Sequence, residues 1–120
     1  MEKDVINKII RNRRSIYPKD YSDKEIPKKA IEEVLLNANH APTHKLTQPW
    51  FFKVYEKSSK AKLCELINNI NDEKYSPVII QKYIEKINQS DTVISVFMKR
   101  DEQNRLPEWE EIAAVSMAIQ

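Results

Sequence analysis

Two short segments of the sequence carry side chains suited to binding an anionic, aromatic ligand. In the first, Arg13, Arg14 and Ser15 place two permanently charged guanidinium groups beside a hydroxyl, a combination that can clamp a phosphate. In the second, His40, His44 and Lys45 offer imidazoles and an ammonium that can contact the polar edge of a heteroaromatic ring. From residue types alone, the first segment is a candidate phosphate clamp and the second a candidate contact to a heteroaromatic edge.

Each segment also has a simpler interpretation. Arg13 and Arg14 follow a predicted helix, whose negative C-terminal end favours cations whether or not a ligand is bound. His40 and His44 are four residues apart, as in a helical metal site, but Pro42 interrupts the helix and no third ligand is near in sequence. A solvated helix end and an ordinary surface loop therefore remain alternatives, whereas a zinc site is disfavoured.

Composition removes several classes of function. The 120 residues include 20 basic and 18 acidic ones, a formal charge of +2 that lacks the dense positive field of a nucleic-acid binder. The chain has no glycine, which excludes the Walker loop, the GxGxxG turn and the GxSxG elbow. One cysteine excludes thiol-pair chemistry. The N-terminus lacks the apolar core of a signal peptide and no segment could span a membrane, so we expect a cytoplasmic protein with no membrane or nucleic-acid partner.

The spacing of apolar residues predicts five helices and two strands that must position these side chains. The first helix, Lys3 to Asn12, carries Val5, Ile6, Ile9 and Ile10 in one stripe. The other predicted elements are a helix from Pro27 to about Asn39, a strand at Trp50 to Glu56, a helix capped by Ser58 or Ser59, a helix from Ser76-Pro77, a strand at Asp91 to Arg100 and a helix from Pro107.

Turns and the last helix give further expectations. Without glycine, left-handed backbone should fall to Asn and Asp, with Asn39, Asn71, Asp72, Asp101 and Asn104 as candidates. The last helix should turn Trp109, Ile112, Ala113 and Ser116 inward. It stops at Gln120 without a cap, and two strands are few for five helices, so we expect one domain over residues 1–120 that is incomplete at its C-terminus.

The order of these motifs resembles the FMN-dependent nitroreductase family over nearly the whole chain. The similar features are Arg-Arg-Ser near the N-terminus, the helix IPKKAIEEVLLNANHAP, and the segment APTHKLTQPWFF that leads into a strand. The last of these resembles the branch of the family with the pattern APxHKxxQPW, and the segment KRDEQNRLPEWEE resembles the start of that branch's central helix.

The resemblance implies an α+β nitroreductase-like fold, truncated to its N-terminal half, with helices packed on a mixed or antiparallel sheet of which two strands are present. It also implies a homodimer that holds FMN at the subunit interface, takes hydride from NADH or NADPH and passes electrons to nitroaromatic or quinone-type acceptors. No protein side chain is implied as a catalytic nucleophile, since the flavin carries the chemistry.

The resemblance assigns cofactor-binding roles to residues of both segments. Arg13, Arg14 and Ser15 match the motif for the FMN phosphate and ribityl chain, and His40, His44 and Lys45 match a loop that reaches the flavin from the other subunit. Two departures stand out: Tyr17 replaces a basic residue of many members, and Leu46 replaces an Asn. By this resemblance, the first departure removes a positive charge from the surroundings of the flavin ring, and the second removes a side-chain amide.

A truncated chain has an alternative function. The family's glycine-containing segment and a further basic residue for the FMN phosphate would lie beyond Gln120, so we expect this chain to bind FMN weakly or not at all. The alternative is a non-catalytic remnant that dimerises without a cofactor through the exposed small-residue face of its last helix. In such a truncated chain we expect Trp109, Ile112, Ala113 and Met117 to be partly uncovered. A phosphate- or nucleic-acid-binding module based on Lys8, Arg11, Arg13 and Arg14 is disfavoured by the near balance of charge.

Overall fold

The computed structural model describes all residues, 1–120, and has an α+β architecture. Five helices accompany one antiparallel sheet of two strands, and no helix is long and apolar enough to cross a membrane. In chain order the elements are α1 (Glu2–Asn12), a 3₁₀ turn (Pro18–Asp20), α2 (Lys28–Ala38), a second 3₁₀ turn (His44–Leu46), β1 (Trp50–Glu56), α3 (Ser58–Asn68), α4 (Pro77–Asn88), β2 (Thr92–Met98) and α5 (Glu108–Ile119).

The sheet forms because both strands are rich in branched and aromatic residues. The strands pair from Trp50 opposite Met98 to Glu56 opposite Thr92, and α3 and α4 form the connection between them. Side chains alternate between the two faces of the sheet. One face packs on α5, whereas the other exposes the cross-strand pair Phe51 and Phe97, whose ring centroids are 6.0 Å apart.

The core is small and lies between the sheet and α5. Only 11 of the 120 residues are buried, so one cluster has to hold this part of the fold together. Trp50 packs against Ala114, Val115 and Ala118, and Phe52, Val96 and Met98 surround them. The small alanines let the helix backbone approach the indole closely.

The inward face predicted for α5 was wrong. The buried residues are Glu111, Ala114, Val115 and Ala118, whereas Trp109 and Ile112 are 68% and 49% exposed. The periodicity indicated the wrong stripe because Glu111, a charged residue, is drawn inward by partners that precede the helix. The separate expectation for a truncated chain, that Trp109, Ile112, Ala113 and Met117 are partly uncovered, is confirmed.

Three further differences concern ends and turns. The cap of α3 is Lys57 rather than a serine, because the Ser59 hydroxyl is used by the backbone of Glu56. Among the predicted left-handed positions only Asn104 has a positive φ. The second strand ends at Met98 instead of Arg100, because the next residues turn toward α5.

The first helix forms as predicted but has no packing partner. Its apolar stripe of Val5, Ile6, Ile9 and Ile10 is 57–69% exposed, and none of its residues is buried. Its side-chain hydrogen bonds are all local. The helix is thus amphipathic, with an apolar face that nothing else in the chain covers.

Candidate functional site

The segment between Pro42 and Pro49 is an ordered loop held by its own threonines. The hydroxyl of Thr43 accepts a hydrogen bond from the Gln48 amide at 3.1 Å and lies 3.4 Å from the Thr47 hydroxyl. Lys45, Leu46 and Gln48 have φ of 53°, 53° and 42°. A left-handed backbone at residues with a Cβ is strained by about 1–3 kcal/mol each, and such strain is concentrated at binding sites.

The imidazole of His44 fastens this loop to α5. Its Nδ1 lies 2.8 Å from Oε2 of Glu110, which belongs to the first turn of the helix. The carboxylate of Glu110 is 25% exposed and the imidazole 60%, so the contact lies at the rim of the fold with the rest of the ring in solvent. The loop is therefore attached at its tip as well as at its ends.

The end of the loop is anchored by Trp50. Its indole Nε1 donates to Oδ1 of Asn39 at 2.8 Å, which joins β1 to the C-terminal end of α2. Pro49 is fully buried, and its carbonyl accepts from the Lys99 amide at 2.6 Å. The TQPW segment thus places the loop between α2, the sheet and α5.

A charged network around Glu111 shapes the connection from β2 to α5. Oε1 of Glu111 accepts from the Asp101 amide at 2.7 Å, and Oε2 accepts from Nε of Arg100. The Arg100 guanidinium also donates to the Leu106 carbonyl and to Oδ1 of Asn104, each at 3.2 Å. Each oxygen of the buried carboxylate thus accepts one hydrogen bond, which offsets part of the cost of burying it.

Asp101 and Arg105 form a second ion pair in the same connection. The guanidinium donates two bonds to the carboxylate, at 2.9 and 3.1 Å, and the Arg105 amide adds a third at 3.0 Å. These bonds, first the side-chain ones and then the backbone one, lower the pKa of Asp101 from 3.8 to about 2. The connection from β2 to α5 is therefore held by two ion pairs, Arg100 with Glu111 and Arg105 with Asp101.

The predicted phosphate-binding residues lie elsewhere, at the free C-terminal end of α1. Arg14 donates to the carbonyls of Arg11 and Arg13 and so caps its own helix. The side chains of Arg13 and Ser15 make no hydrogen bond or ion pair, and all three residues are exposed. No hydrogen bond or ion pair joins them to the loop of His44 within one chain.

The histidines are also separated from each other. His40 lines a groove of about 430 Å³ between α2 and the C-terminal end of α5, next to Met117 and Ile119. His44 contacts Glu110 at the opposite end of α5, and seven residues of helix correspond to roughly 10 Å. The Lys45 ammonium makes no ion pair. No group of three or more His, Cys, Asp or Glu side chains is arranged to hold a metal ion.

Sequence reasoning missed four residues that shape the site: Arg100, Asp101, Glu110 and Glu111. The sequence indicates exposed charges at these positions, because the charged residues of KRDEQNRLPEWEE follow one another without a periodicity that would place some of them on a buried face. The available signal was the spacing of Arg100 and Glu111 across a proline-ended loop, which is compatible with a bridge that closes the loop. Nothing in the sequence distinguishes Glu110 from Glu108.

Comparison with known proteins gives concordant matches. The profile of the family described as Nitroreductase family matches residues 10–120. The chain is 30% identical over 122 aligned positions to the protein named Putative NAD(P)H nitroreductase YfhC of Bacillus subtilis (strain 168), covering 97% of this chain and 60% of that protein. It is also similar to a crystal structure of a nitroreductase-like family protein from Bacillus cereus, with TM-score 0.79, 27% identity, and coverage of 96% of this chain and 60% of the other. The chain thus spans about 60% of the length of these relatives.

Proposed function

The chain belongs to the nitroreductase family, and from this we propose that it contributes to an FMN-dependent oxidoreductase that uses NADH or NADPH to reduce nitroaromatic or quinone-type acceptors. An oxidoreductase of the nitroreductase kind is supported by the family and by the named B. subtilis relative. Our proposal adds four points to that assignment: the FMN cofactor, the nicotinamide donor, the electron acceptors and the homodimer. Since reduced nicotinamides are consumed in the cytoplasm, we propose that location for the reaction.

The observation that carries the proposal is the chemistry of the donor set. Arg13 has a guanidinium with no partner in the chain, so it can bind a phosphate without breaking an existing bond. Ser15 adds a hydroxyl, and Arg14 adds charge from the helix cap. His44 and Lys45, on the strained loop, supply groups suited to a flavin ring, and we assign His40 the same role. The residues present fit FMN in charge and in hydrogen-bonding type.

The protein groups have binding and orienting roles. When bound, FMN supplies hydride acceptance and donation, which no side chain of this chain can provide. We propose that Arg13, Arg14 and Ser15 hold the phosphate and ribityl chain. Lys45 places positive charge beside the ring, and the TQPW segment, held by the contacts of Pro49 and Trp50, keeps the loop of Lys45 in one position.

Homodimer formation belongs to the proposal as well. Because α1 carries an uncovered apolar stripe and no hydrogen bond or ion pair joins the two predicted segments within one chain, we propose that a second copy brings them together. Light scattering at micromolar concentration should give about twice the 14.2 kDa mass of one chain. A compact monomer would contradict the dimer.

Removing the phosphate contact tests the cofactor assignment. Arg13→Ala should weaken FMN by about 2–3 kcal/mol, or about 30- to 150-fold, because a charge-assisted contact is lost. Riboflavin, which lacks the phosphate, should bind both proteins equally. The readout is quenching of flavin fluorescence, which remains usable if the affinity of the chain is low.

Two controls accompany this test. Arg11→Ala removes the same charge from the same helix end and should change FMN affinity by no more than about twofold. His44→Ala should weaken FMN and riboflavin together. Equal losses of both flavins in Arg13→Ala would reject the phosphate role of Arg13.

The alternative function, a dimer without cofactor, is favoured by one observation: the exposed stripe of α1 is suited to association whether or not a flavin is present. Flavin absorbance separates the two functions. A folded dimer that shows no change in flavin absorbance or fluorescence at millimolar flavin would support the non-catalytic alternative. A dimer that binds flavin would support the oxidoreductase.

A further inference from the structure

The contact between His44 and Glu110 determines which nitrogen of the imidazole carries a proton. Since a carboxylate only accepts hydrogen bonds, the Nδ1 at 2.8 Å must be the donor. In the neutral ring Nε2 then carries the lone pair, and no group of the chain is bonded to it. This is the opposite of the tautomer that a free imidazole prefers in water. The loop therefore presents a hydrogen-bond acceptor to solvent.

We propose that Glu110 is a positioning residue that fixes the tautomer of His44, so that Nε2 accepts a hydrogen bond from a ligand. The inference rests on the proposed function in one respect: the ligand donor we assign is the imide N–H of the flavin ring. A protonated or rotated imidazole would place a donor there instead and would repel that group. Glu110 itself does not touch the ligand.

The strain in the loop explains why such a residue is needed. Lys45 and Leu46 follow His44 directly and both have left-handed backbone, a pair of conformations that tends to relax unless other contacts hold it. The Thr43 hydroxyl holds the far end through Gln48. On the other side of the tip, Glu110 supplies the one side-chain bond between loop and helix. Losing it would free both the imidazole and Lys45.

Neighbouring acidic residues cannot replace Glu110. Glu111 is fully buried and committed to Arg100 and the Asp101 amide. Glu108 lies 3.5 Å from the Arg100 guanidinium. Two of the three carboxylates in the first turn of α5, those of Glu108 and Glu111, contact Arg100, and only that of Glu110 contacts the loop.

The tautomer can be measured on the chain alone. With ¹⁵N-labelled histidine and a pH well above the ordinary imidazole pKa, long-range ¹H–¹⁵N spectra should show a protonated Nδ1 and an unprotonated Nε2 for His44. His40, whose ring makes no hydrogen bond in the structure, is an internal control and should show the ordinary preference for Nε2–H. A His44 spectrum identical to that of His40 would overturn the proposal.

Three variants identify the residue responsible. Glu110→Ala should return His44 to the pattern of His40. Glu110→Gln should largely keep the Nδ1–H form, because its amide oxygen still accepts. Glu108→Ala removes a carboxylate from the same helical turn and should leave His44 unchanged. An unaltered His44 spectrum in Glu110→Ala would contradict the role of Glu110.

Flavin binding tests the consequence for the ligand. Glu110→Ala should weaken FMN and riboflavin alike by about 5- to 10-fold, and Glu110→Gln should restore most of the affinity. In His44→Ala, adding Glu110→Ala should cost nothing further, because Glu110 acts through His44. Equal flavin affinity in wild type and Glu110→Ala would refute the positioning role. If wild type binds no flavin, the proposed function fails, and the ring spectra still decide whether Glu110 fixes His44.

Discussion

The end of α1 and the connection before α5 both concentrate charge, but they use it in opposite ways. At the end of α1, Arg13 and Ser15 have no partners and remain exposed. Before α5, the charged side chains of Arg100, Asp101 and Glu111 all have partners within the same connection. The first region keeps its charge available for a ligand, whereas the second uses charge to fix a backbone.

This difference indicates which region contributes stability and which contributes binding. An exposed, unpaired cation adds almost nothing to folding, and its bond to a phosphate is gained in full when the ligand arrives. A buried carboxylate with matched donors adds little to affinity, yet losing one partner leaves an uncompensated group inside the fold. Substitutions at the end of α1 should therefore change ligand affinity, and substitutions before α5 should change the free energy of unfolding.

The largest expected effect on stability is that of Glu111→Gln. The change removes the buried negative charge beside Arg100 and places an amide NH₂ against one of the two donors, Nε of Arg100 or the Asp101 amide, so the free energy of unfolding should fall by about 2–3 kcal/mol. Arg100 is 39% exposed, and water can partly compensate it, which keeps the loss below that of a fully buried pair. Urea denaturation followed by circular dichroism measures the change.

The matched control for this prediction is Arg13→Ala in the other region. Its free energy of unfolding should stay within about 0.5 kcal/mol of wild type, although its FMN affinity falls. Equal denaturation midpoints for Glu111→Gln and Arg13→Ala would show that the network adds no stability, and the contrast between the regions would be lost.

Much of the fold is predictable from sequence because local signals agree there. Trp50 to Glu56 forms a strand with the predicted bounds, since its aromatic and branched residues leave few other choices. Ser76 and Pro77 start α4 because a hydroxyl cap and a fixed φ act within one turn, and Ser76 does accept from the Ile79 amide. These elements depend on contacts near in sequence.

The candidate site is less predictable because it depends on contacts distant in sequence. His44 was identified from a motif, but its partner Glu110 lies 66 residues away in a run of similar glutamates. Glu111 is buried, although the apolar spacing of α5 predicts a different buried face. The reason is that its partners, the Arg100 side chain and the Asp101 amide, precede the helix in the chain. Left-handed backbone at Lys45 and Leu46 follows from the threonine bonds and the helix contact, which no residue preference encodes.

A smaller effect is expected from acid, through Asp101. Its pKa is lowered from 3.8 to about 2 by Arg105, so the unfolded chain binds a proton at this residue before the folded chain does. The stabilisation is present in full above the unfolded pKa and is lost as pH falls through about 2. In Asp101→Asn this contribution is absent, so the difference in denaturation midpoint between wild type and variant should shrink over that range.

Asp23→Asn is the control for the acid experiment, because Asp23 is exposed and makes no side-chain hydrogen bond. Its difference from wild type should be close to zero and independent of pH. A wild-type difference from Asp101→Asn that stays constant down to the lowest pH would mean that the ion pair with Arg105 does not form in solution.

The smallest expected effect concerns the tip of the loop, where Leu46→Asn should stabilise the protein. Leu46 has φ of 53° and is 80% exposed, so the exchange loses little burial and relieves a left-handed strain that Asn tolerates better. We expect a gain of about 0.5 kcal/mol in the free energy of unfolding. Leu36→Asn is the matched control, because Leu36 is 60% exposed in the right-handed α2, where Asn should cost about 0.5 kcal/mol. Urea denaturation measures both variants. A higher free energy of unfolding for Leu46→Asn and a lower one for Leu36→Asn would show that the strained tip exists in solution. An equal decrease in both variants would show that it does not.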